Sequence, residues 1–306
     1  MYDIIVIGAG PAGMTAALYA RRAEKSVLVI EKETFGGQIT HSPRVENYPG
    51  FVSLSGSELG DKMLEHAISL GAEIELDTVT GIEKTEDGIR VKTESGEFIS
   101  KSVIIATGSK HRTLGIENEE NYVGEGVSYC AVCDGAFYKD KTVAIIGGGN
   151  SALQEAVLLS EGCKRVFVVQ NLPYLTGETK LADILAARDN VEIILSHTVA
   201  ELIGDGKSLS GIKIKNEESG EYTTLTLDGI FVAIGQVPEN APFKDTVKLN
   251  DYGYVDADES CVPTTDIPGV FVAGDCRSKR IRQVSTAIAD GSVAALAACS
   301  WLDASK

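Results

Sequence analysis

Two cysteines with a two-residue gap, Cys130-Ala131-Val132-Cys133, are the side chains of this 306-residue chain best suited to chemistry. That spacing lets the sulfurs close a small, reducible disulfide, one thiol of which can be acidified enough to attack. Asp134 follows directly, where a partly buried carboxyl can deliver a proton to a departing thiolate. A structural pair or a zinc site would show the same spacing, and a carboxyl beside it can be a plain turn residue. A second kind of site is written in glycine. In Gly8-Ala9-Gly10-Pro11-Ala12-Gly13 backbone N–H groups at a helix start can cradle a pyrophosphate, provided no Cβ blocks the approach. Glu31, 18 residues after Gly13, offers a carboxylate to ribose hydroxyls. The bland reading of that stretch is a tight strand-to-helix turn.

These groups need elements to hold them. The apolar run Ile4 to Ile7, a helical stretch to about Arg22 and the strand Val27 to Ile30 make a βαβ unit around the first glycine turn. A similar unit recurs at Thr142 to Ile146, Gly147-Gly148-Gly149-Asn150-Ser151-Ala152, a helix through about Glu161 and the strand Val166 to Val169 ending at Gln170. Gln170 lies 18 residues after Ala152, so the spacing repeats as well. Two copies mean two nucleotide sites, or one working site and one remnant. Between them, short strands are expected at Glu73 to Leu76, Gly88 to Thr93 and Glu97 to Ile99, then a buried strand from Val103 into Ala106-Thr107-Gly108. A matching strand runs from Gly229 to Gly235. Past Pro242 come Val270 to Asp275 and a small-residue helix from about Gln283 to Ala298. A first unit ending near residue 109 is short for a doubly wound sheet, so residues 243–306 are expected to return and complete it, leaving 110–242 as the second domain.

Composition narrows the function. Lys and Arg total 28 against 44 Asp and Glu, a formal charge of −16, which disfavours nucleic acid as a partner. No run of 18 apolar residues and no basic leader with a cleavage site precede or interrupt these elements, so no membrane association and a cytoplasmic location are expected. Four of the six cysteines (Cys163, Cys261, Cys276, Cys299) are scattered and read as small core residues. The four histidines lie far from any cysteine pair, so no metal site is expected. Trp301 reads as a helix anchor or dimer contact.

Taken in order, the motifs resemble the low-molecular-weight thioredoxin reductases over the whole chain. The resemblance is carried by Gly8 to Gly13, Gly36-Gly37-Gln38-Ile39, Glu46-Asn47-Tyr48-Pro49-Gly50, Ala106-Thr107-Gly108, Cys130 to Gly135, Gly147 to Ala152, Ala233-Ile234-Gly235, and Ala273-Gly274-Asp275 with Arg282-Gln283-Val284. The larger glutathione-reductase-like enzymes carry a dimerisation domain for which 306 residues leave no room. The resemblance implies an α/β fold of two Rossmann-like FAD/NAD(P)-binding domains, the FAD domain discontinuous. It implies FAD with its pyrophosphate on Gly8, Gly10, Pro11, Ala12 and Gly13 and its ribose on Glu31 beside Lys32. Further FAD contacts are implied for Gly36, Gly37, Gln38 and Asn47, for Ala106, Thr107 and Gly108, and for Gly274, Asp275, Arg282, Gln283 and Val284. By the same analogy Cys133 faces the flavin, Cys130 attacks thioredoxin and Asp134 is the acid. A homodimer and a rotation of one domain against the other belong to the same expectation.

One stretch departs from the family. An NADPH-dependent member follows its second strand with a His-Arg-Arg type segment that clamps the 2′-phosphate. Here Gln170-Asn171-Leu172-Pro173-Tyr174 stands in that place, with no cation before Lys180 and no acid at 170 for an NAD ribose. An intact flavin site, an intact redox pair and an eroded second site resemble the ferredoxin-dependent flavin thioredoxin reductases. Reduced ferredoxin is therefore the expected donor, with an NADPH or NADH enzyme of atypical nucleotide site as the alternative. A non-catalytic flavin-binding redox sensor is the remaining, more distant reading. The run Arg277-Ser278-Lys279-Arg280-Ile281-Arg282 offers cations that could receive an acidic ferredoxin, or is simply a solvated loop.

Overall fold

The computed structural model describes residues 1–257, 265 and 267–304. The chain divides into two compact units, residues 1–110 with 237–306 and residues 111–236. The expected return after Pro242 thus falls earlier, after Gln236. Asn240, fully buried in the first unit, accepts from the Thr107 hydroxyl at 3.0 Å and donates to the Gly253 and Cys276 carbonyls, which fastens that segment there.

The first unit starts with β1 (Tyr2–Ile7), α1 (Pro11–Arg22) and β2 (Val27–Glu31), followed by α2 (Gly56–Ser69) and β3 (Glu73–Leu76). Then β4 (Val79–Thr85), β5 (Gly88–Thr93) and β6 (Glu97–Ile105) form an antiparallel meander. The strand β4 has no counterpart in the sequence reading, and the two stretches expected at Glu97 and Val103 are one strand. Ser100 and Ser102 are buried and Lys101 turns out to solvent, so these polar residues continue the alternation through the strand. The apolar runs bury both faces, as parallel strands do. Ile4, Val6, Val27, Val29 and Ile104 pack on the α1 side, and Ile5, Ile7, Leu28, Ile30, Val103 and Ile105 pack on the other with Ile82, Val91 and Phe243.

A short strand β7 (Ser109–His111) leads into the second unit. There β8 (Val127–Ser128), α3 (Ala131–Asp134), β9 (Thr142–Ile146), α4 (Asn150–Gly162), β10 (Arg165–Val169), α5 (Thr179–Ala186) and β11 (Val191–Ile194) follow in turn. A three-stranded antiparallel sheet, β12 (His197–Gly204), β13 (Leu209–Asn216) and β14 (Tyr222–Thr226), covers one face of the parallel sheet through Leu202, Ile212 and Ile214. The sequence reading does not contain this layer. With β15 (Gly229–Val232) the parallel sheet has the order β11-β10-β9-β15-β8.

The chain returns through β16 (Gln236–Pro238) and adds β17 (Val270–Val272) to the C-terminal half of β6, giving a seven-stranded sheet. It ends with α6 (Val284–Ala304), longer than the helix expected. At 21 residues and a mean hydropathy of 1.2, α6 is long and apolar enough to span a membrane, but its small residues serve packing. Gly291 sits so close to α1 that an added Cβ would lie 2.2 Å from the Ala12 carbonyl oxygen. Trp301 lies over Gly269 in the same unit, which anchors the end of the helix. Cys163, Cys276 and Cys299 are buried, and Cys261 lies outside the described residues.

Candidate active site

The redox pair sits where β8 gives way to the short helix α3. Cys130 and Cys133 are joined as a disulfide with Cα atoms 5.3 Å apart. Cys130 stands in extended conformation just before α3, and its Sγ accepts the Cys133 N–H at 3.2 Å. Ser128, two residues upstream, ties the turn together. Its hydroxyl donates to Asp134 Oδ2 at 2.6 Å, and its oxygen accepts the Cys130 N–H at 3.1 Å. Burial pushes the Asp134 carboxyl above its ordinary range, and the Ser128 bond opposes that rise. A carboxyl raised in this way keeps its proton to higher pH, which suits a proton donor. Val132, between the cysteines, is 59% exposed, so the turn is open to a partner.

Two neighbours of the pair escaped the sequence reading. Glu155 of α4 accepts the Ala131 N–H at 3.3 Å, and burial pushes its carboxyl up to about 7 against the effect of that bond. Its signal was a charge set among Ala152, Ala156 and Leu159, the buried stripe of α4. Tyr129, next to Cys130, donates to Glu119 at 2.9 Å and stacks on His111, whose burial pushes its imidazole below the usual range.

In the first unit the glycine turn has the shape of an anion cradle. Gly8 adopts φ +105°, where an added Cβ would lie 2.4 Å from the Ala106 carbonyl oxygen. Gly37, at φ +67°, approaches Gly10 so closely that its Cβ would meet the Gly10 Cα at 2.9 Å. No side chain caps α1, so its first N–H groups remain for a ligand, with Pro11 at the start where an N–H is not needed. Glu31 is buried. Its Oε2 accepts the Ala9 N–H at 2.7 Å and its Oε1 the Lys32 and Glu33 N–H groups at 2.9 Å. Roughly one of its four acceptor positions is left for a ribose hydroxyl. The Lys32 ammonium is engaged by Glu239 at 2.5 Å.

The return segment brings Gly274, Asp275 and residues 282–284 into this unit. Gly274, at φ +81°, faces the Ala12 methyl, and its N–H donates to Asp290 at 3.0 Å. Asp275 Oδ1 is buried and, among the described residues, without a hydrogen-bond partner, with the Lys279 ammonium 3.7 Å away. Burial pushes the Asp275 carboxyl up, and the Lys279 and Arg282 charges oppose this. An orphaned acceptor of this kind beside a glycine cradle fits a polyhydroxylated, pyrophosphate-bearing cofactor such as FAD. Gln283 accepts from Asn47 at 3.3 Å, which links two of the predicted contacts, and Gln38 is exposed on a 3₁₀ turn over Gly37–His41. Thr107 is spent on Asn240. Arg282 lies over the Tyr254 ring, 4.2 Å from its centroid.

The basic run 277–282 is not the free cationic surface that it suggests in the sequence. Arg277 is 7% exposed and grips Asp290 of α6 with two bonds of 3.0 Å, and Lys279 reaches the same carboxylate at 3.0 Å. Burial works against the Asp290 charge, but these two cations outweigh it and hold the carboxyl below its usual range.

In the second glycine turn Gly147 keeps the left-handed φ, +132°. Gln170, however, is buried with its side chain against Gly148, where an added Cβ would lie 2.6 Å from the carboxamide. Gln170 Oε1 accepts the Asn171 N–H at 3.2 Å and its Nε2 donates to the Tyr174 carbonyl at 3.4 Å. The loop that follows closes on the same turn, Thr176 and Gly177 N–H donating to the Gly148 carbonyl at 2.9 Å.

The pyridine nucleotide-disulphide oxidoreductase family matches residues 2–291. A 34.2 kDa protein in the rubredoxin operon of Clostridium pasteurianum is 43% identical over 299 residues, covering 97% of this chain and 96% of that protein. The thioredoxin reductase of Listeria monocytogenes is 41% identical over 294 residues, covering 96% of this chain and 92% of that one. The crystal structure of thioredoxin reductase from Streptococcus pyogenes matches at a TM-score of 0.94 and 40% identity, over 99% of each chain.

Proposed function

The chain belongs to the low-molecular-weight thioredoxin reductases of the pyridine nucleotide-disulphide oxidoreductase family, and we propose that its electrons come from reduced ferredoxin and not from a pyridine nucleotide. It is an FAD flavoprotein with a Cys130–Cys133 disulfide. When bound, FAD supplies a two-electron carrier. Gly8, Gly10, Pro11, Ala12 and Gly13 hold its pyrophosphate in this reading, Glu31 a ribose hydroxyl and Asp275 a further hydroxyl. Toward thioredoxin, the Cys130 thiolate attacks the substrate disulfide and forms a mixed disulfide. The displaced thioredoxin sulfur takes its proton from Asp134. Cys133 then attacks Cys130 Sγ, restores the enzyme disulfide and releases the second thioredoxin sulfur, which carries off the proton that Cys133 gives up. The enzyme acts as a cytoplasmic homodimer in this reading, with light scattering as the check on its size.

The observation that carries the donor reading is Gln170 lying on Gly148. Its carboxamide is engaged by Asn171 and Tyr174 and leaves no carboxylate for a ribose, and the segment after it offers no guanidinium for a 2′-phosphate. A pyridine-nucleotide donor is the second reading, favoured by the surviving turn from Gly147 to Ala152. Anaerobic titration with NADPH, NADH and chemically reduced ferredoxin, followed by flavin absorbance and thioredoxin thiols, decides between them. Bleaching and turnover with ferredoxin alone are expected, and rapid bleaching by NADPH overturns the ferredoxin donor. Cys130→Ser and Cys133→Ser should each retain flavin and lose thioredoxin reduction.

A further inference from the structure

Glu155 of α4 stands beside the redox turn. Its Oε2 accepts the N–H of Ala131, the buried residue that follows Cys130. A second amide of the same turn, Cys133 N–H, goes to Cys130 Sγ. One turn thus presents its amides to two acceptors, a sulfur and a carboxyl. Among the described residues no lysine or arginine pairs with Glu155, and the ion pair of α4 is made by Glu161 with Arg188. The other titratable groups of the turn are Asp134, held by Ser128, and the two cysteines.

We infer that Glu155 is a positioning residue for the redox pair, engaging the Ala131 amide and setting, by its charge, how readily Cys130 ionises once the disulfide is reduced. Reduction breaks the S–S bond, takes up two electrons from the reductant and one proton, and leaves one thiol and one thiolate. A carboxylate on the amide that follows Cys130 disfavours a thiolate there, which couples the two ionisations. Burial keeps the Glu155 carboxyl near neutrality in its titration, which places this competition in the range where thiol exchange operates. The inference rests on Cys130 and Cys133 being the redox pair and is independent of the electron donor.

The test uses holoenzyme reduced with dithiothreitol and freed of it anaerobically. Iodoacetamide alkylation of Cys130 and Cys133 is followed by peptide mass spectrometry across the neutral pH range in wild type, Glu155→Gln and Glu155→Ala. The glutamine keeps an acceptor for Ala131 and removes the charge. Its Cys130 profile should shift to lower pH by about half a unit, which makes alkylation near pH 7 about threefold faster. The alanine variant should shift in the same direction and serves as the readout where the glutamine variant loses flavin. Profiles that coincide with wild type, or a change of rate uniform across pH as altered access alone would give, overturn the inference. Resistance of both wild-type cysteines to alkylation after reduction would instead overturn the redox pair itself.

Discussion

Ser128 Oγ stands between Asp134 and the Cys130 amide, donating to the carboxylate at 2.6 Å and accepting the amide N–H at 3.1 Å. A hydroxyl can do both at once because it carries one donor and two acceptor positions. It thereby fixes the proposed acid against the turn that bears the sulfurs, and it favours the charged form of that acid.

Replacing Ser128 by alanine tests this arrangement. The bond that opposes the upward push of burial on Asp134 is lost, so the carboxyl titrates at still higher pH. The limb of the pH–rate profile that reports a protonated Asp134 should move up in Ser128→Ala, and thioredoxin reduction should persist further into the alkaline range. The maximal rate should fall because the carboxyl is less well held. Steady-state thioredoxin reduction measured across pH reads both effects, and a limb unmoved by the substitution would remove Asp134 from the acid role.

Asp275 offers a test of the cofactor cradle. Among the described residues its Oδ1 has no hydrogen-bond partner, only the Lys279 ammonium 3.7 Å away, so a ligand hydroxyl that satisfies it gains a charge-assisted bond, typically about 1.5–3 kcal/mol. Asp275→Ala should therefore weaken FAD binding by roughly tenfold to a hundredfold. Reconstitution of the apoprotein, followed by quenching of flavin fluorescence, measures the affinity. An unchanged dissociation constant would mean that the orphaned oxygen faces something other than the cofactor.

The approach of α6 to α1 predicts a sharp size limit at Gly291. Alanine there brings a Cβ to 2.2 Å from a backbone oxygen of Ala12, and backbone cannot swing aside as a flexible side chain can. Overpacking of this kind costs about 1–3 kcal/mol. Gly291→Ala should lower the unfolding free energy measured in urea by that amount and loosen flavin, since Ala12 belongs to the proposed cradle. Wild-type stability in the variant would show that the helices separate without cost.

Much of this arrangement could be read from the sequence because it is local. Each glycine turn lies with the strand before it in its own βαβ unit, Glu31 in the first, and within such a unit spacing translates directly into geometry. Ser128 and Asp134 are also close in sequence, yet a lone serine before a cysteine gives no sign that it bridges two partners. Glu155 meets Ala131 across 24 residues, so only its intrusion on an apolar helix face hinted at burial. The basic run misled for a related reason. Cations in series read as a wet surface, whereas the carboxylate that buries two of them, Asp290, belongs to a helix whose register the sequence does not advertise. The antiparallel layer β12–β14 was missed because its lysine- and threonine-rich strands bury only one side.

The interruption of the first unit by the second has a consequence for synthesis. Residues 1–110 emerge with β6 lacking its β17 neighbour and α1 lacking α6, so the sheet that frames the cofactor cradle waits half built. The inserted unit is continuous and can condense while the rest is still being made. Asp275 and residues 282–284 arrive last, together with the strand and helix that close the core. With the proposed contacts, cofactor capture is therefore a late event, reserved for chains whose redox turn has already had time to form.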